Sequence, residues 1–147
     1  MPPSAPSSLI DKNAPSFDST AMDGREIRDI RLRGKIVIVT FFSKECLACE
    51  RWTPEIEMIS REAADIAAVG VSQDASEADL RGLVTTWRIT YPVVHDKDRK
   101  MTGRFVVGEL PTTLVVDRAG VVRWVGGPAQ TEADLRSAIQ VIREQQR

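Results

Sequence analysis

A three-layer α/β fold, with a mixed sheet and helices on both faces, is what this sequence predicts, and three observations predict it. Segments of strand and helix character alternate through most of the chain, which requires parallel crossovers. One run, Lys35-Ile36-Val37-Ile38-Val39-Thr40-Phe41-Phe42, reads as a strand buried on both faces and leads directly toward a helical stretch. Late in the chain two apolar runs flank Asp117-Arg118-Ala119-Gly120, a turn that makes the closing strands an antiparallel pair.

The elements follow in order. Residues 1–13 are expected as a flexible lead-in, because the opening is rich in Pro, Ser and Ala; the folded domain is then 14–147. Phe17 to Met22 and Arg25 to Ile30 flank Asp23-Gly24, a two-residue hairpin signal. Gly34 leads into the central strand. A helix is predicted from Glu50 to about Glu62, with Pro54 kinking it or ending its first segment. Ala64 to Val71 reads as the next strand. Ser76 to Trp87 is amphipathic, with Leu80, Leu83, Val84 and Trp87 at helical spacing. Tyr91 to Val94 reads as a short strand and Lys97 to Phe105 as a short helix. Thr112 to Val116 and Val121 to Val125 form the closing hairpin. Thr131 with Asp134 marks a helix start, and the last helix runs to about Arg143.

At 147 residues the chain is one domain with room for a real core. A net charge of -1, no basic run and few aromatics give nucleic-acid binding no support. No apolar stretch approaches the roughly 18 residues of a membrane span. The opening 16 residues carry no hydrophobic signal segment. The expected location is therefore the cytoplasm if the chain is complete, and extracytoplasmic or periplasmic if a signal or anchor precedes it.

The two cysteines stand three apart, as Cys46-Leu47-Ala48-Cys49, where a strand hands over to a helix. Free backbone N–H groups and the helix dipole at that place favour a thiolate. As a structural staple the pair is poor, because closing so short a loop removes little unfolded-state entropy. As a dithiol it is well placed for redox chemistry.

With these elements in order, the chain resembles the thioredoxin superfamily, and within it the TlpA/ResA/DsbE branch of thiol-disulfide oxidoreductases (redoxin, AhpC/TSA-like domains). The resemblance covers about Ala14 to Ile142. Ala14-Pro15-Ser16-Phe17 is similar to the branch's opening strand, and Arg33-Gly34-Lys35 stands before the central strand. Pro54 lies five residues beyond Cys49, where thioredoxins place a helix-kinking proline. Val69-Gly70-Val71-Ser72 resembles the second strand, Leu110-Pro111-Thr112-Thr113 the cis-proline loop, and Asp117-Arg118-Ala119-Gly120 the turn after it. The 62 residues from Cys49 to Pro111 fit the branch's extra strand and helix before that loop.

The resemblance implies roles. Cys46 is the exposed nucleophile and Cys49 the buried resolving thiol. Leu47 and Ala48, the dipeptide that tunes redox potential in the superfamily, offer the thiolate no proline, histidine or charge. Leu110 and Pro111 form the substrate-binding loop, with a cis bond and a Leu110 backbone free to pair with an extended client strand. No cofactor or metal is implied. The implied partners are client protein thiols or disulfides and an upstream thiol electron donor, and a monomer is expected.

Several positions depart from the family pattern. Glu45 stands where tryptophan is common, placing a negative charge beside Cys46 that opposes a thiolate; Lys44 is the neighbour able to offset it. Thr40, six residues before Cys46, replaces the buried acid of thioredoxin. Trp52, three after Cys49, replaces the glutamate of ResA-like proteins and reads as core packing. Glu50 and Glu55 are the acids nearby in sequence. His95, the only histidine, would serve a Sco-like copper site only with cysteines spaced one residue further apart. A closed zinc site wants four ligands. The leading function is a protein disulfide reductase or interchange enzyme. A thiol peroxidase is the alternative from a second class: Ser43 meets its requirement three residues before the cysteine, while Val39 fails the proline seven before. A non-catalytic thioredoxin-fold binding module is the third.

Overall fold

The computed structural model describes residues 1–146. The first strands, β1 (Asp18–Thr20) and β2 (Glu26–Arg28), pair antiparallel with Ser19 opposite Ile27. Gly24 closes the turn at φ 91°, a conformation that glycine adopts without a Cβ penalty. The hairpin is shorter than the sequence predicts and forms a sheet of its own.

The main sheet holds β3 (Ile36–Phe42), β4 (Ile66–Ser72), β5 (Val93–His95), β6 (Thr112–Val116) and β7 (Val122–Gly126) in the order β5-β4-β3-β6-β7. β3, β4 and β5 run parallel, while β6 and β7 are antiparallel additions. All seven residues of β3 are buried, as expected of a central strand covered on both faces. Alternate residues divide between two apolar clusters. Ile36, Ile38 and Phe42 join side chains from α1 (Leu47–Glu62), α2 (Glu77–Thr86) and α4 (Glu132–Gln145). Val37, Val39 and Phe41 face the other way, toward Phe17, Ile27 and the short α3 (Lys100–Arg104) with its neighbour Phe105. Helices therefore cover one face thickly, and the hairpin completes the other.

Local chemistry sets the helix ends. Thr131 and Asp134 form a capping box, each side chain accepting from the other's backbone N–H, so α4 begins where the sequence places it. α1 begins at Leu47, three residues before the expected Glu50, because the Cys46 side chain supplies its cap. Pro54 lies inside α1 without ending it.

The opening segment, expected as a flexible lead-in, hydrogen-bonds to the main sheet. Ala5 donates its N–H to the Val125 carbonyl at 2.7 Å, and Asp11 donates to Val122 at 2.8 Å. Val122 returns a bond to the Lys12 carbonyl at 2.9 Å, and the indole Nε1–H of Trp124 donates to the Pro3 carbonyl at 2.8 Å. The physical reason is the outer edge of β7, whose unpaired backbone groups need partners. The opening segment satisfies them, and its Leu9 and Ile10 pack on the second cluster.

Candidate active site

β3 delivers the chain to a short loop, and the loop delivers it to α1. The Cys46 N–H donates to the Ser43 carbonyl at 3.2 Å, tightening that loop. Cys46 is the N-cap of α1, and its Sγ accepts from the Cys49 N–H at 3.1 Å. A sulfur in that place meets the positive end of the helix, which stabilises a thiolate in the reduced form. The two cysteines are joined in a disulfide with Cα atoms 5.3 Å apart. Their surroundings differ sharply: Cys46 is half-buried at the surface, while Cys49 is 1% exposed within the cluster under α1.

Leu47, between the cysteines, is 85% exposed, and Ala48 is half-buried. Glu45 is exposed. The Lys44 ammonium pairs with Asp79 on α2 at 3.4 Å and not with Glu45. The next cation along the helix, Arg51, is likewise engaged, by Glu132 at 2.8 Å.

The Leu110-Pro111 peptide is cis. Thr112 stands opposite Phe41 in the β6–β3 ladder, so the antiparallel register carries Pro111 to the end of β3 where the cysteine loop departs. Leu110 and Cys46 pack on the same apolar cluster. Among the described residues, neither the N–H nor the carbonyl of Leu110 takes part in a backbone hydrogen bond outside the regular elements, and β6 starts only at Thr112.

Under the cysteines the acid positions of the family are neutral. Thr40 is buried, and its hydroxyl shares a 2.9 Å hydrogen bond with the Thr113 hydroxyl directly across the ladder. Trp52 is 1% exposed and packs against Trp124 with ring centres 6.4 Å apart, which is the core role its sequence position suggested. Glu50 is exposed, and Glu55 is bound to Arg136 of α4. The buried carboxylate of α1 is Glu57, which accepts from the Thr90 N–H at 2.6 Å and the Thr90 hydroxyl at 2.5 Å. It lies about 12 Å along the helix from Cys49, at 1.5 Å per residue, too far to relay a proton directly. Burial, and next the Glu57 charge, push the Tyr91 phenol well above its ordinary range.

The structure also places the residues of the competing readings. His95 ends β5, where its Nε2 bonds the Asp74 carbonyl at 2.6 Å. Val39 lies mid-strand at 1% exposure, so the peroxidase position for proline is core. Sequence reasoning missed Asp74, a buried carboxylate just past β4 that accepts from the Lys44 N–H at 3.0 Å. Its only sequence signal is position, at the carboxyl end of a parallel strand beside β3, where α/β sheets gather functional groups.

A sheet of this order with an asymmetric cysteine pair capping α1, and a cis-proline loop beside it, defines a thioredoxin-fold dithiol protein. Comparison with known proteins agrees. The chain belongs to the AhpC/TSA family, which matches residues 10–125. It is 31% identical over 136 residues to the thiol-disulfide oxidoreductase ResA of Bacillus thuringiensis (strain Al Hakam), covering 90% of this chain and 78% of that protein. A thioredoxin-like protein of Bacillus subtilis (strain 168), YneN, is 26% identical over 132 residues, covering 87% of this chain and 77% of that one. A solved thiol:disulfide interchange protein of the thioredoxin family from Chlorobium tepidum TLS shares the fold at a TM-score of 0.78 and 24% identity, with 94% of this chain and 99% of that one covered. Fold, cysteine pair and kinship together make this chain a thiol-disulfide oxidoreductase.

Proposed function

We propose that the protein reduces or exchanges disulfides in client proteins, with Cys46 as nucleophile and Cys49 as resolving thiol. One observation carries the assignment: of two sulfurs joined in one disulfide, only Cys46 is at the surface and at the helix N-terminus. In the forward step the Cys46 thiolate attacks a client disulfide. The client S–S bond breaks, a Cys46–client mixed disulfide forms, and the departing client thiolate takes up a proton. The Cys49 thiolate then attacks the Cys46 sulfur. This forms the Cys46–Cys49 bridge and releases the second client thiolate, which is protonated in turn. The client gains two electrons and two protons, and the dithiol loses the same. An upstream dithiol donor restores the reduced protein by the same exchange. The unengaged backbone of Leu110 supports binding of the client as an extended strand beside the cysteines.

The test mixes the reduced protein with a disulfide-bonded protein substrate and follows both partners by mass spectrometry. One substrate disulfide opened for each Cys46–Cys49 bridge formed supports the reading. Substrate left intact while the dithiol stays reduced contradicts it.

A further inference from the structure

The loop that carries Cys46 is held from outside by a buried carboxylate. Asp74 lies two residues past the end of β4 and is 9% exposed. Its Oδ1 and Oδ2 lie 3.0 and 3.3 Å from the Lys44 nitrogen, whose N–H points at them. The carboxylate is itself fixed. The Ser72 hydroxyl donates to Oδ2 at 2.8 Å, and the Asp74 N–H donates to the Ser72 hydroxyl at 3.0 Å. His95 Nε2 bonds the Asp74 carbonyl at 2.6 Å. Ser72 stands opposite both Phe42 in β3 and His95 in β5, so this cluster spans three parallel strands at their carboxyl ends. One more bond, from the Gln73 N–H to the Phe42 carbonyl at 3.0 Å, ties the two strand ends together.

We infer that Asp74 is a positioning residue for Cys46, acting through the Lys44 backbone. One residue, Glu45, separates Lys44 from Cys46, and the turn is closed by the Cys46 N–H on the Ser43 carbonyl. Fixing the Lys44 amide therefore fixes where the Cys46 sulfur meets the N-terminus of α1. A charged acceptor suits the task, because a carboxylate bond to a backbone N–H is about twice as strong as a neutral one. The redox state decides when the bond matters most. In the oxidised protein the disulfide itself holds Cys46 to Cys49. In the reduced protein that link is gone, and the Asp74–Lys44 bond joins the Cys46 N–H bond to Ser43 in holding the nucleophile over the helix end. Removing it destabilises the reduced form more than the oxidised form, which linkage turns into a shifted redox equilibrium. The inference rests on the dithiol reading given above.

Two quantities are read on wild type, Asp74→Ala and Asp74→Asn: the rate of Cys46 alkylation by a neutral reagent in the reduced protein, and the Cys46–Cys49 equilibrium in glutathione buffer. Asp74→Ala is expected to slow alkylation at least fivefold and to move the equilibrium at least fivefold toward the disulfide. Asp74→Asn keeps an acceptor oxygen for the Lys44 N–H and is expected to restore most of both. A lowered melting temperature for Asp74→Ala with unchanged alkylation and equilibrium would overturn the inference, leaving Asp74 a purely structural group. Equal impairment by both variants would also overturn it, because an acceptor oxygen kept beside the Lys44 N–H would then place Cys46 no better than none. If Asp74→Ala does not fold, Ser72→Ala leaves the carboxylate but removes the hydroxyl that orients it. That variant is expected to shift both readouts at least twofold in the same direction, and no shift overturns the inference. Failure of wild-type Cys46 to alkylate ahead of Cys49 would instead contradict the dithiol reading, whatever the Asp74 variants do.

Discussion

Replacing Glu45 with glutamine removes the charge beside the proposed nucleophile while keeping the side chain's size. Glu45 is exposed, and among the described residues no cation lies within salt-bridge distance of it. Lys44 and Arg51, the cations nearest in sequence, are bound to Asp79 and Glu132. The Glu45 carboxylate therefore acts on a forming Cys46 thiolate unneutralised. At about 6 Å the repulsion is roughly 3 kcal/mol at an effective dielectric near 20 and about 0.7 kcal/mol in water. An exposed carboxylate belongs near the water value. An energy of about 0.7 kcal/mol is about a threefold change in an equilibrium constant, so Glu45→Gln should raise the thiolate fraction about threefold at neutral pH. The assay is alkylation of the reduced protein by a neutral reagent at low ionic strength, with the Cys46 adduct counted by mass. The same comparison in 1 M salt, where the Debye length falls to about 3 Å, should shrink the difference to well below twofold. Equal rates at low salt would refute the electrostatic reasoning. A difference that survives high salt would refute it too, and would point to packing.

Two further outcomes concern stability. Val106 holds φ 54° with its side chain 59% exposed, and a β-branched residue in that left-handed region costs on the order of 1–2 kcal/mol. Val106→Asn should therefore stabilise the protein by about 0.5–1 kcal/mol in denaturant unfolding, and a loss of stability would mean the exposed valine is packing usefully. Asp65 is held at a pKa of about 2, first by the Arg143 hydrogen bond and, against the cost of burial, by Arg118 as well. Because its folded pKa is depressed, its contribution is present above the unfolded value near 4 and is lost as pH falls toward about 2. With the side chain 33% exposed, screening reduces this to on the order of 1 kcal/mol. The gap between wild type and Asp65→Asn should be constant above about pH 5 and shrink as pH falls through about 2; a gap unchanged by acid would rule out the ion pair as its source.

Much of the fold was legible because burial leaves a period in the sequence. The continuous apolar run of β3 announced a strand covered on both faces, and Thr131 with Asp134 announced the start of α4. The cysteine pair was legible from spacing and position alone, and the cis-proline loop from its resemblance. Where the reading missed, the cause was an interaction that no local pattern encodes. α1 starts at Leu47 because a cysteine sulfur caps it, and cysteine is not among the residues that signal a cap. Residues 1–13 look loose by composition, yet their partners are backbone groups on the edge of β7, more than 100 residues away. Asp74 touches the cysteine loop only because β3 and β4 lie side by side in register, with Phe42 opposite Ser72. Lys44 could pair with Glu45 by sequence but reaches Asp79 across the same strand ends.

Trapping of mixed disulfides separates the roles of the two sulfurs. Each single-cysteine variant, Cys49→Ser and Cys46→Ser, is incubated with a disulfide-bonded client protein, and mixed disulfides are counted by non-reducing electrophoresis and mass spectrometry. Cys49→Ser is expected to accumulate a Cys46–client adduct, because the attacking thiol is present and the resolving thiol is gone. Cys46→Ser should accumulate none, since Cys49 is 1% exposed on the buried side of α1. Equal trapping by the two variants, or trapping by Cys46→Ser alone, would contradict the assignment.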